Sequence, residues 1–236
     1  SLLAAMGSGA GRLERLRILD VGCGSGAQTV VLARLTGAHI VAVDNHQPFL
    51  DELMRRARSA GVEQLIEPRL HDMNELAAPS TVEASFDMVW AEGSLFVVGF
   101  AAGLRLCREM LVPGGLLAAS ELTWLRLDPP AECREYFAAA YPAMIDVAGN
   151  LALAELCGYE VLDHFTIPES SWWLPYYEPL EARMAELRAT HATDAARVGM
   201  LDWVQEEIEM YRRFSSYYGN EFYLLRRADD TAYAAG

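Results

Sequence analysis

Arg17-Ile18-Leu19-Asp20-Val21-Gly22-Cys23-Gly24-Ser25-Gly26 is the stretch on which the fold turns. A short apolar run that ends on glycines reads as a strand buried on both faces. Gln28 to Leu35 follows with helical spacing, and Gly37 stops it. Glycines between strand and helix let the backbone turn sharply and approach a ligand without Cβ atoms in the way. The helix start beyond them offers unpaired N–H groups and the positive end of its dipole. Such a loop suits a nucleotide-like ligand.

The same alternation continues outward. His39 to Val43 is the second strand, and Pro48 to Ala60 the second helix, with Pro48 in its first turn and Gly61 at its end. Ile66–Leu70 and Phe86–Trp90 are the third and fourth strands. Ala101 to Leu111 is helical, Pro113-Gly114-Gly115 breaks it, and Leu116 to Leu122 is the fifth strand. Strands alternating with helices at this spacing predict an α/β fold, a parallel sheet covered by helices on both faces. Beyond it, Glu132–Tyr141 and Asn150–Cys157 read as helices and Glu160–Ile167 as a sixth strand. A mostly helical stretch runs from Glu169 to Tyr218, and Glu221–Arg227 is a terminal strand. The expectation is one domain over residues 1–236, with a helical cap inserted at about 169–218.

Open α/β sheets bind ligands at the carboxyl ends of their strands, and three of those ends here carry acids. Asp20 closes the first strand, where a carboxylate accepts a hydrogen bond from an ammonium group but repels a pyrophosphate. Asp44 closes the second, 22 residues after Gly22, where an acid takes both hydroxyls of a ribose. Asp72 follows the third, in reach of an adenine amino group, and Met73 offers the ring a soft apolar surface. The spacing Gly22, Gly24, Ala27 also fits a dinucleotide loop, so an NAD-dependent oxidoreductase stays open as an alternative. Asp20 and the third glycine, Gly26, argue against it.

These motifs resemble the class I S-adenosylmethionine (SAM)-dependent methyltransferase family over roughly Arg17 to Ser120. ILDVGCGSG looks like its glycine-rich motif, VAVDN its ribose motif, LHDM its adenine-contact position, FDMVWAEGSL its fourth-strand motif and LVPGGLLAAS the helix-turn-strand that follows. The closest branch looks like the small-molecule methyltransferases of the ubiquinone and menaquinone biosynthesis type. The resemblance implies a Rossmann-like, seven-stranded, mostly parallel sheet whose antiparallel last strand inserts beside the sixth. It implies SAM as cofactor, held by Asp20, Gly22, Cys23, Gly24, Gly26, Asp44, Asn45, Asp72, Met73 and Ala91. It also implies direct in-line methyl transfer to a small-molecule nucleophile. A SAM-binding regulatory or scaffold protein without transferase activity is a second alternative. The family usually carries more chain before the first strand, and Ser8, Gly9 and Gly11 read as a remnant of its closing segment.

Glu92, at the carboxyl end of the fourth strand, and Glu121, at the end of the fifth, are the candidate catalytic bases. His46 packs against adenine or faces solvent. Trp172, Trp173, Tyr176 and Tyr177 lie within one SWWLPYY run. They read either as packing for the helical insertion or as an aromatic wall for a planar or cationic substrate.

Composition narrows the partners. The net charge is −14, with 19 basic against 33 acidic residues, and a nucleic-acid binder needs clustered Lys and Arg. No nucleic-acid partner is therefore expected. No apolar run approaches the roughly 18–20 residues of a membrane span. Cys23, Cys107, Cys133 and Cys157 make no metal-ligand spacing; they read as reduced buried thiols of a cytoplasmic protein with no metal. The apolar helical insertion is compatible with a homodimer.

Overall fold

The computed structural model describes residues 13–76, 86–191 and 193–229. Their strands are β1 (Arg17–Val21), β2 (His39–Asp44), β3 (Ile66–Leu70), β4 (Phe86–Ala91), β5 (Leu111–Trp124), β6 (Tyr159–Thr166) and β7 (Tyr218–Arg227). The helices are α1 (Ala27–Thr36), α2 (Gln47–Ala60), α3 (Phe100–Met110), α4 (Ala131–Ala140), α5 (Val147–Leu156), α6 (Glu178–Thr190) and α7 (Ala195–Phe214). A π-helical turn, Trp173–Tyr177, leads into α6. Ser8, Gly9 and Gly11, the expected closing remnant, lie outside the described residues.

The strands form one sheet in the order β3-β2-β1-β4-β5-β7-β6. Six strands are parallel, the last is antiparallel, and helices lie on both sides. β1 pairs in parallel with both β2 and β4, so the direction of winding reverses beside it. The crevice at such a reversal, outside the carboxyl ends of the strands, is where open α/β sheets bind ligands. The run Ile18–Val21 is buried without interruption, as are Ile40–Val43. That is why these strands carry apolar residues at every position rather than alternate ones.

Among the boundaries that differ from the sequence expectation, two strand starts move by three residues or more. Pro113-Gly114-Gly115 lies inside β5, which starts at Leu111 rather than Leu116. Phe86 pairs with Leu111 but Met88 with Leu116, so the register shifts here. Pro113 has no N–H for the ladder, and Gly114 takes φ +73°; the chain loops out and rejoins β4 as a bulge. β7 starts at Tyr218 rather than Glu221. Gly219 and Asn220 are poor strand formers, yet the Asn220 carbonyl accepts the Ile167 N–H at 2.8 Å.

The chain divides into two compact units. One takes the described residues up to Glu121, with Ala148–Phe165 and those from Phe222 onward; the other takes Leu122–Val147 and Thr166–Glu221. The second unit thus draws on Leu122–Val147 as well as the stretch read as a cap. The core of the first gathers Leu19, Val41, Phe86, Val89, Leu104, Leu117 and Tyr223. That of the second gathers Phe137, Tyr177, Met184, Ile208, Tyr211 and Phe214. No helix among the described residues is long and apolar enough to cross a membrane.

Candidate functional site

The site is built on the loop from β1 to α1. Gly22, Gly24 and Gly26 have φ of +70°, +52° and +77°, conformations in which a Cβ is strained. The Gly22 and Cys23 N–H groups both donate to the Val43 carbonyl, at 2.9 and 3.0 Å, and the His71 N–H donates to the Asp44 carbonyl at 2.9 Å. These bonds gather the carboxyl ends of β1, β2 and β3. The three glycines serve different ends. A Cβ on Gly22 would lie 2.5 Å from Ser94 Cβ, and one on Gly26 would overlap Leu53 Cδ1, so both positions are packed shut. At Gly24 nothing lies within 4 Å. This loop position therefore faces open space, a cradle that a ligand's backbone-hugging portion fits.

Gly26→Ala is accordingly expected to destabilise the fold by about 3 kcal/mol or more, combining backbone strain and overlap. Gly24→Ala is expected to cost only about 1 kcal/mol of stability while weakening cofactor binding at least tenfold. Thermal unfolding and calorimetric titration of the two variants separate these outcomes.

Asp20 is buried, and its Oδ2 accepts the Thr29 hydroxyl at 2.6 Å. Burial pushes its pKa up to about 7; the Thr29 bond works against this, and the negative charges of Glu92 and Asp44 add to it. An acid so placed is short of a cation. Asp44 Oδ2 accepts the Gly24 N–H and Oδ1 the His46 N–H, both at 2.9 Å. The candidate ribose acid thus also braces the glycine loop.

Glu92 follows β4 and is half-buried. Burial raises its pKa, while Gln28, whose Nε2 donates to it at 3.3 Å, and the nearby Trp90 indole lower it. Its loop is fixed at two points. The Gly93 N–H donates to Ser120 Oγ at 2.9 Å, and the Ser94 hydroxyl to the Val21 carbonyl at 2.6 Å. Met73 also reaches the loop, its methyl 3.6 Å from where a Gly22 Cβ would stand.

The other expected residues are placed differently. Asp72 sits at the end of β3, but its carboxylate accepts the backbone and side-chain N–H groups of Asn74, at 2.9 and 2.8 Å. These bonds cap a short turn and hold its pKa below the usual carboxylate range. Asn45 is exposed. Cys23 is buried, and burial pushes its thiol pKa up, which leaves its backbone as the part of it open to a ligand. The Ala91 side chain packs into the core with Val21 and Ala119, leaving only its main chain for a ligand. Glu121 is buried on β5, beside Ser120. His46 is exposed and meets Phe49 edge-on, 4.7 Å between centroids.

Trp172, Trp173, Tyr176 and Tyr177 belong to the second unit. Tyr177 is buried against Tyr211, 5.2 Å between centroids, and donates to Glu207 at 3.2 Å. Arg212 lies over the Trp173 ring at 5.0 Å, and Tyr176 is 47% exposed. Tyr177 therefore belongs to that unit's own core, and Trp172 and Trp173 pack against it half-buried. Thr29, Gln28, Ser94 and Ser120 escaped sequence reading. Of these only Thr29 left a signal: a hydroxyl in the first helical turn, three residues after Gly26.

Residues 18–115 match the methyltransferase domain family. The chain is 27% identical over 197 residues to the uncharacterized protein YjhP of Escherichia coli, covering 76% of this chain and 78% of that one. It is 40% identical over 114 residues to the ubiquinone biosynthesis O-methyltransferase of Methylocella silvestris, covering 47% of this chain and 41% of that enzyme. The chain thus spans less than half the length of that relative. Among solved structures, a SAM-dependent methyltransferase from Thiobacillus denitrificans in complex with S-adenosyl-L-homocysteine superposes with a TM-score of 0.78 at 24% identity. The match covers 95% of this chain and 88% of that one, a likeness of fold. The glycine loop, the strand-end acids and the sheet order agree with these findings: residues 18–115 match a methyltransferase domain, and the fold is that of a SAM-dependent methyltransferase.

Proposed function

We propose that the protein transfers the methyl group of SAM to a small-molecule nucleophile. The observation that carries this reading is the set of groups gathered along the glycine loop: Asp44 accepts the Gly24 N–H, Met73 reaches the Gly22 side, and the Asp44 charge bears on buried Asp20. When bound, SAM supplies a methyl group on a positively charged sulfur, open to in-line displacement. In this proposal Asp20 accepts from the ammonium end, Asp44 takes the ribose hydroxyls, and Met73 lies against the adenine with Asp72 at its edge. The backbone of Cys23, Gly24 and Ala91 lines the approach, and Asn45 flanks the ribose. The chain's task is then alignment in a site shielded from water.

Glu92 is the proposed base for a nucleophile that is protonated at working pH, with Glu121 second. Its half-burial and raised pKa suit that role. Glu92→Gln is expected to lower kcat by about 100-fold at the top of the pH profile and to move SAM affinity by less than threefold. An unchanged rate at every pH removes Glu92 as base. The helical stretch at 169–218 is proposed as the acceptor-selecting part of the chain. Within it, Tyr176, the exposed one of the four aromatics, is proposed to touch substrate. Tyr176→Ala is expected to raise KM for the acceptor without changing SAM affinity.

Calorimetry with SAM, S-adenosylhomocysteine and NAD, followed by methyl transfer to a panel of amines, phenols, thiols and carbon acids, tests the whole reading. NAD binding in place of SAM would overturn it. SAM binding with no turnover across the panel would favour a regulatory or scaffold role. The acidic balance supports a small-molecule acceptor over nucleic acid, and four buried thiols support a cytoplasmic setting. Sedimentation tests the proposed homodimer.

A further inference from the structure

We propose that Thr29 is a positioning residue for the cofactor: its hydroxyl holds the Asp20 carboxylate in its charged form and turned toward the ammonium end of SAM. The inference rests on the reading of Asp20 given above. The geometry is specific. Thr29 is fully buried in the first turn of α1, and its Oγ1 lies 2.6 Å from Asp20 Oδ2. A threonine in a helix ordinarily donates to a carbonyl one turn back, and Thr36 of the same helix does so, to the Leu32 carbonyl at 2.7 Å. Thr29 instead donates out of the helix to a side chain nine residues earlier.

The surroundings explain why that bond matters. Asp44 from β2 and Glu92 from the loop after β4 both disfavour a negative charge on Asp20. The Cys23 thiol of the glycine loop, itself unfavourable to ionise beside Asp20, brings no positive charge. The Thr29 hydroxyl is the group that works the other way. A short O–H···O bond to a carboxylate is charge-assisted and favours the ionised form. Without it, Asp20 meets an incoming ammonium as a neutral acid at neutral pH and must first lose a proton.

The test is calorimetric titration with S-adenosylhomocysteine, which keeps the ammonium end, from pH 5.5 to 8.5. It compares the wild-type protein, Thr29→Val, Thr29→Ser and Asp20→Asn. For the wild type, affinity is expected to rise about tenfold per pH unit up to a midpoint near 7 and then level off. Thr29→Val keeps the side-chain volume; its midpoint is expected about one pH unit higher and its affinity at pH 7 about fivefold lower, recovering at pH 8.5. Thr29→Ser is expected to restore the wild-type profile. A merely structural role would lower affinity equally at every pH and would overturn the proposal, as would an unchanged midpoint. Should Thr29→Val fail to fold, Thr29→Cys, near in volume and a weaker donor, carries the same expected upward shift, and its absence overturns the proposal. If Asp20→Asn binds as tightly as the wild type, the reading of Asp20 itself fails. If Asp20→Asn loses affinity while the Thr29 variants keep the wild-type profile, only the Thr29 inference fails.

Discussion

Asp44→Ala is expected to weaken SAM binding by at least 100-fold while leaving the sheet folded. The carboxylate braces the loop by accepting the Gly24 and His46 N–H groups, each at 2.9 Å, and on the proposed reading it also receives the ribose hydroxyls. Hydrogen bonds to a charged group contribute about 1.5–3 kcal/mol each, and about 1.4 kcal/mol is tenfold in affinity. Losing the ribose contacts alone therefore accounts for about 100-fold, and an unbraced Gly24 adds to it. Stability should fall by about 2–4 kcal/mol through the two lost loop bonds without unfolding the sheet, because Asp44 ends β2 rather than packing in its core. Titration with S-adenosylhomocysteine reads the affinity, and thermal unfolding reads the fold. Binding within about threefold of wild type would remove Asp44 from the cofactor site.

The second large effect concerns Asp20 and has opposite signs for binding and for stability. Its pKa in the folded protein is about 7 against an ordinary value of 3.8, chiefly through burial. An acid whose pKa rises on folding supports the folded state below its ordinary pKa, and that support is lost as pH climbs through the folded value. Without cofactor, the protein should therefore lose stability between about pH 4 and 7. Asp20→Asn, which cannot ionise but still accepts from Thr29, should be more stable than wild type at pH 8 by roughly 4 kcal/mol. The difference should vanish near pH 4. Cofactor binding runs the other way: the same variant lacks the negative charge for an ammonium group and should bind S-adenosylhomocysteine at least 30-fold more weakly at pH 8. Melting temperatures across pH and calorimetry at pH 8 test both arms. A variant that is both less stable and equally tight-binding would show that Asp20 is a structural acid and nothing more.

Much of this was legible from local pattern. Ile18–Val21 and Ile40–Val43 are apolar at every position because both faces of the sheet are covered, and a run of that kind is visible without neighbours. The helix limits followed Pro48, Gly37 and Gly61, whose backbone preferences act within a turn. The strand-end acids could be named because topology, once read as parallel, puts all carboxyl ends on one edge.

What side chains do at those ends was not legible, since it depends on partners far away in the chain. Asp72 Oδ1 accepts both the backbone and the side-chain N–H of Asn74. Ala91, at the end of β4, is buried in the core, although the motif places it beside the ligand. Ser120 and Ser94 fasten the Glu92 loop across separations of 27 and 73 residues, and no spacing rule links such positions. The SWWLPYY aromatics show the same division: their density announced burial, but that Tyr177 seats on Tyr211 and Glu207 depended on how α7 packs. The sequence by itself determined the βα order, the glycine turn and the edge on which a ligand binds, because those follow from backbone sterics and hydrophobic period over a few residues. Only the tertiary structure decided which carboxylates stay buried, which are braced and which are already taken, because hydrogen-bond partners and desolvation belong to the packed neighbourhood rather than to the chain.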